Sequence, residues 1–147
     1  LTKFLAPTRG SIHFKGHDIT GETSAHIARR GVIRSFQISA VFPHLTVLEN
    51  VRIGLQRFTG TSFQFWRGLN ELKRLDGKVL ELLERVDLRE MAHLKAVDLP
   101  YGRKRALEIA TTMAMEPELM LLDEPTQGMG HEDVERVTAL IKRVAEG

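Results

Sequence analysis

Apolar and polar positions change rhythm several times along this chain, and each change marks an element. Leu1–Leu5 predicts the tail of a helix, and Pro7, Thr8 and Gly10 a turn. Over Ser11–Lys15, Ile12 and Phe14 alternate with polar neighbours, the period-two spacing of a short strand. Gly16–His17–Asp18 predicts another turn, and Gly21 breaks the chain again. Ser24 is placed to cap a short helix running to Arg30. Val32–Phe36 is a short, mostly apolar run, a buried strand that delivers Gln37 to a loop. Thr46 with Glu49 three residues later makes a capping box for a helix over 47–57. Phe58–Gly68, with Thr59, Gly60, Thr61 and Ser62, predicts a loop. Apolar residues at 69, 72, 75, 79, 82, 83 and 86 then form the stripe of a helix over Leu69–Val86. Gly102–Met115 predicts a further helix, stopped before Pro117. Leu119–Leu122 is four apolar residues followed by Asp123 and Glu124, and a last helix is predicted over Glu132–Ala145. A buried strand ending in acids is where α/β sheets place their ligand sites.

Composition narrows the class. The 147 residues suffice for one ordinary domain, and 42% hydrophobic with 27% charged residues is a globular balance. No apolar run reaches the roughly 18 residues that a membrane-spanning helix needs. There is no cysteine, which rules out a disulfide framework or a thiolate metal site within the chain. A net charge of +2 gives no electrostatic case for nucleic acid. The chain opens on Leu1 with no signal-peptide pattern, and reads as starting inside a longer gene product.

Candidate chemistry concentrates in two places. In Leu119–Thr126 a hydrophobic strand delivers two adjacent carboxylates. Asp123 is suited to holding hydrated Mg²⁺ and Glu124 to polarising an attacking water. By itself the motif is equally a strand that ends in a charged turn. Gly102 opens a strong helix upstream, where backbone N–H groups can approach an anion closely. Arg103, Lys104 and Arg105 follow, as part of such a site or as a solvated basic face.

Together these stretches resemble a known family. Leu99-Pro100-Tyr101-Gly102-Arg103 through Ala110, followed by Leu121-Leu122-Asp123-Glu124-Pro125-Thr126, looks like the signature motif and Walker B of ABC ATPases. Arg34-Ser35-Phe36-Gln37 with Phe42–Val51 resembles the Q-loop region, and Pro7–Ile12 with Gly16–Ile19 the segment after the Walker A helix. The resemblance covers essentially the whole chain in the family's order. It implies an α/β fold: a P-loop NTPase (RecA-like) core with an inserted ABC helical subdomain, truncated at both ends. Residues 1–39 and 117–147 would be core parts and 40–116 the approximate helical subdomain. Ile27–Gln37, Tyr101 and the long stretch Phe58–Leu75 are similar to ATPases of branched-chain amino acid importers. Lipopolysaccharide-export and urea-importer ATPases share parts of this pattern, and a non-transport or a degenerate ABC protein is the remaining alternative.

The resemblance also assigns roles. Gln37 matches the Q-loop glutamine, which touches Mg²⁺ or water and senses the transmembrane partner. Asp123 matches the Mg²⁺-supporting acid and Glu124 the catalytic base. Pro100, Tyr101, Gly102 and Arg103 match the residues that meet nucleotide, with Gly102 donating to the γ-phosphate across a dimer. Gly128 to Glu132 take the place of the D-loop. His131 is too close to Glu124 for the switch histidine and reads as an exposed loop residue. ATP and Mg²⁺ are the implied cofactors, and membrane permease subunits and a second ABC ATPase, identical or different, the implied partners; no nucleic acid is expected. The implied location is peripheral, on the cytoplasmic face of the inner membrane. Two residues depart from the pattern. Pro100 replaces the signature serine and loses its hydroxyl; Arg103 replaces glutamine and either offers charge to phosphate or sits in solvent. No G-x-x-x-x-G-K-[ST] occurs, so the chain alone is expected to bind ATP poorly and to show no ATPase activity.

Overall fold

The computed structural model describes residues 8–35, 41–58, 75–122 and 124–146. Strands β1 (His13–Phe14) and β2 (His17–Asp18) form a small antiparallel hairpin, pairing His13 with Asp18 and Phe14 with His17. Lys15 and Gly16 turn it, both with positive φ (49° and 77°), the backbone of a two-residue type I′ turn. Such a turn consumes only two residues, so His17 and Asp18 pair as strand where the sequence pattern predicts turn. Helix α1 (Ser24–Arg29) is capped by Thr23, one residue before the predicted cap, because Thr23 is the extended residue (φ −76°, ψ 157°) whose hydroxyl accepts from the His26 N–H.

Gly31 turns the chain into β3 (Val32–Ser35) at φ +82°, and a Cβ there would stand 2.9 Å from Glu118 Cγ. Its carbonyl accepts from Glu118 N (2.9 Å) and Leu119 N (3.1 Å). Those bonds start a parallel ladder with β4 (Leu119–Leu122), in register Val32–Leu119 through Ser35–Leu122. Both strands therefore end together at one edge. Ile19, Ile27 and Val32 are buried beneath them against Ile12, Phe14, Leu119 and Leu121.

The helices pack around a second, larger core. Helix α2 (Val47–Phe58) starts at the predicted capping box. Thr46 N donates to Glu49 Oε2 (2.7 Å) and Glu49 N donates back to Thr46 Oγ1 (3.2 Å). The Thr46 backbone N–H, then its hydroxyl, hold the Glu49 carboxyl below the usual glutamate range. Buried Asn50 pins the preceding segment, its Oδ1 accepting from Phe42 N at 2.7 Å and its Nδ2 donating to Phe42 O at 3.1 Å. Helix α3 (Asp76–Arg85) buries Val79, Leu82 and Leu83, with Val86 just beyond, on the predicted stripe; positions 69 and 72 lie outside the described residues. Two 3₁₀ turns, Arg89–Met91 and Ala96–Asp98, lead to α4 (Tyr101–Met113). That helix starts one residue before the predicted start and ends two before the predicted end, the chain turning at Glu116 (φ 46°) ahead of Pro117. Helix α5 (His131–Glu146) adds Val137 and Leu140 to the core of Val51, Leu55, Val79, Leu83, Leu107 and Ala110. Helices α2 and α4 touch most closely at buried Gly54, where a Cβ would stand 2.8 Å from Thr111 O and 3.0 Å from Ala114 Cβ.

Candidate functional site

The start of α4 faces the turn that follows β4. Pro100 is the exposed N-cap, extended at φ −56° and ψ 154°, with no side-chain capping bond. The first helical bond runs from Lys104 N to Pro100 O (3.0 Å), so the amides of residues 101–103 precede the ladder. The first turn holds no acid of its own. This donor set, lacking a side-chain acceptor at Pro100, suits an anion such as a nucleotide phosphate.

Side chains then bind the two segments together. Tyr101 is 60% exposed, and its hydroxyl donates to the Gln127 carbonyl at 3.2 Å. Arg105 Nε donates to the Pro125 carbonyl at 3.2 Å, and its Nη1 pairs with Glu108. Gly102 is buried, and a Cβ on it would stand 2.5 Å from Asp133 Oδ1 on α5. Arg103 Nη1 donates to the Asp87 carbonyl at 2.7 Å. Asp87 itself sits at φ 56°, and its carboxylate accepts from Arg143 at 2.7 Å. The basic run is thus not one solvated face. Arg105 is buried, and Arg103, half-buried, bonds at the junction between α3 and α4.

At the β4 edge, Glu124 is exposed and takes a left-handed backbone (φ 42°), unusual for a non-glycine residue. Its carbonyl accepts from Gln127 N at 3.1 Å. Gly128, at φ 76°, completes the turn. Gln37 and Asp123 lie outside the described residues. The described chain reaches Ser35 and Leu122 at the same end of the parallel pair. Among the described residues no group of three or more His, Asp or Glu is arranged to hold a metal. The Mg²⁺ assignment therefore rests on Asp123 and Gln37. His131 is exposed, as expected, but opens α5 instead of lying in a loop, with Nδ1 3.6 Å from Glu135.

Glu108, Gln127 and Asp133 were not singled out from sequence. The Arg105–Glu108 pair is legible as an i,i+3 spacing of opposite charges. Gln127 and Asp133 carry no such signal, because their partners Tyr101 and Gly102 are distant in the chain.

Solved structures of the same architecture set the class. MJ1267, an ATP-binding cassette of an ABC transporter, matches with a TM-score of 0.77 over 97% of this chain and 58% of its own, at 25% identity. The dimeric MJ0796, a bacterial ABC transporter cassette, matches with a TM-score of 0.68 over 95% and 59%, at 26% identity. The fold is that of an α/β ATP-binding cassette. The ABC transporter family model matches residues 1–127, and the chain belongs to that family. The high-affinity branched-chain amino acid transport ATP-binding protein BraF of Pseudomonas aeruginosa is 36% identical over 98% of this chain. Its counterpart LivG of Escherichia coli is 34% identical over 96%. The chain spans 58% and 57% of the lengths of these two relatives.

Proposed function

We propose that this chain is part of the ATP-hydrolysing subunit of an ABC importer of the branched-chain amino acid type, working at the cytoplasmic face of the membrane. One observation supports it above the rest. The start of α4, with Gly102, and the turn after β4, with Glu124, are joined by Tyr101–Gln127 and Arg105–Pro125 into one unit. In this reading Gly102 meets the γ-phosphate bound by a second cassette, and Glu124 takes the proton of the attacking water. Mg²⁺, when bound by Asp123 and Gln37, neutralises phosphate charge. Residues 1–39 and 117–147 serve as core and 40–116 as the helical subdomain. The permease docks on the apolar surface that exposed Phe42, Leu94 and Val97 offer, Phe42 following the Q-loop glutamine Gln37 in the chain. Among the described residues no helix is long and apolar enough to cross a membrane, which agrees with a peripheral subunit.

The test is Glu124→Gln in the full-length protein. The amide keeps the shape but cannot accept a proton. ATP binding is expected to persist while hydrolysis slows at least about 100-fold, the scale of a lost general base. Hydrolysis at near the wild-type rate would remove Glu124 from the role.

A further inference from the structure

The turn that carries Glu124 is held by one face of α4. Gln127 N donates to Glu124 O at 3.1 Å, which closes a turn over residues 124–127. Two further carbonyls of that turn accept from α4. Pro125 O accepts from Arg105 Nε at 3.2 Å, and Gln127 O from the Tyr101 hydroxyl at 3.2 Å. Tyr101 and Arg105 are four residues apart, so they share a helix face, about 6 Å apart along the axis. The Tyr101 hydroxyl also reaches along the turn to Gly128, where a Cβ would stand 3.8 Å from it. Glu124 itself sits at φ 42°. That backbone is strained for a residue with a Cβ, and a residue before proline prefers extended backbone. Such a conformation persists where its surroundings over-determine it. Arg105 is the more buried of the two donors, its side chain 10% exposed, and buried Glu108 on the same helix balances its charge.

We infer that Tyr101 and Arg105 are positioning residues for Glu124, holding the turn so that the carboxylate meets the attacking water. The inference rests on the reading that Glu124 is the general base. Freed of the two donors, Glu124 relaxes toward extended backbone, its Cα–Cβ bond turns, and the carboxylate leaves the water. The loss falls on proton transfer and not on ATP binding.

The experiment measures turnover, half-saturating ATP concentration and melting temperature in the full-length protein. Tyr101→Phe removes one hydroxyl and keeps the ring. Arg105→Met combined with Glu108→Leu removes the donor to Pro125 without leaving a lone buried charge. Turnover is expected to fall at least about threefold in the first and at least about tenfold in the second, within the roughly 100-fold that a misplacement of about 1 Å brings. The half-saturating ATP concentration is expected to stay unchanged in both. On a Glu124→Gln background the same substitutions are expected to bring no further loss, because groups that act as a unit are not additive. Unchanged turnover in Tyr101→Phe overturns the inference, whatever happens to the melting temperature. So does a shifted half-saturating concentration, or the same fractional loss with and without Glu124. If the paired variant fails to fold, Tyr101→Phe decides alone. If Glu124→Gln by itself leaves hydrolysis near the wild-type rate, the general-base reading falls and this inference with it. If it slows hydrolysis and Tyr101→Phe does not, only this inference falls.

Discussion

At the residue scale, two side chains that depart from the family's signature have different fates. Pro100 replaces a hydroxyl that the resemblance places on phosphate, and as N-cap it makes no side-chain bond. A hydrogen bond to a charged group is worth about 1.5–3 kcal/mol, or roughly 10- to 150-fold. The Arg103 guanidinium donates to the Asp87 carbonyl, and on that ground we expect it not to make up that loss. Pro100→Ser in the full-length protein is therefore expected to strengthen ATP-driven dimerisation about tenfold and to raise hydrolysis with it. Arg103→Ala is expected to lower the melting temperature, by the few degrees that about 1 kcal/mol represents, without weakening nucleotide binding. If Arg103→Ala instead weakens ATP binding and Pro100→Ser does nothing, the arginine has taken over the serine's role. A cassette with a weak signature is best tolerated beside a partner whose own signature is intact.

At the scale of elements, the crossing of α2 and α4 is a tight joint between backbones. Gly54 lies buried in α2 with the Thr111 carbonyl and the Ala114 methyl where its own side chain would stand. Neither neighbour is the free end of a flexible chain, so the helices themselves have to separate. Gly54→Ala is expected to destabilise the protein by about 1–3 kcal/mol, despite alanine's better helix propensity. Chemical denaturation measures this directly, and an unchanged or increased unfolding free energy would show that the crossing is looser than described. The capping box of α2 was legible in Thr46 and Glu49, since both partners belong to one local motif. The cap of α1 was displaced by one residue because Thr23 and Ser24 are both good caps and only the backbone angle at Thr23 selects between them.

At the scale of the whole molecule, the two cores meet across β4, with Leu119 and Leu121 packed on the smaller and Met120 on the larger, and Phe42, Leu94 and Val97 are exposed. Phe42 is held in place by Asn50, and Val97 N donates to the Pro43 carbonyl at 2.9 Å, so this apolar surface has a fixed backbone. Cross-linkers placed at positions 41–44 in the assembled complex are expected to capture a membrane permease. Capture of soluble proteins alone would favour a cassette that works outside transport.

The sequence by itself determined most of the described elements, the family and which groups are candidates. Those features are local: a period of two or 3.6, a capping box, four apolar residues before two acids, a glycine at a helix start. Residues such as Glu124 and Gly102 were legible because the motifs that carry them are contiguous in the chain. Tertiary structure alone decided where Arg103 spends its charge, that Arg105 is buried, and that Asp133 lies on Gly102. Each depends on residues far apart in sequence, brought together by the packing of α4 against α3 and α5. No local pattern encodes such contacts, because the distance between two helices is set by the core beneath them and not by the residues that meet at their ends.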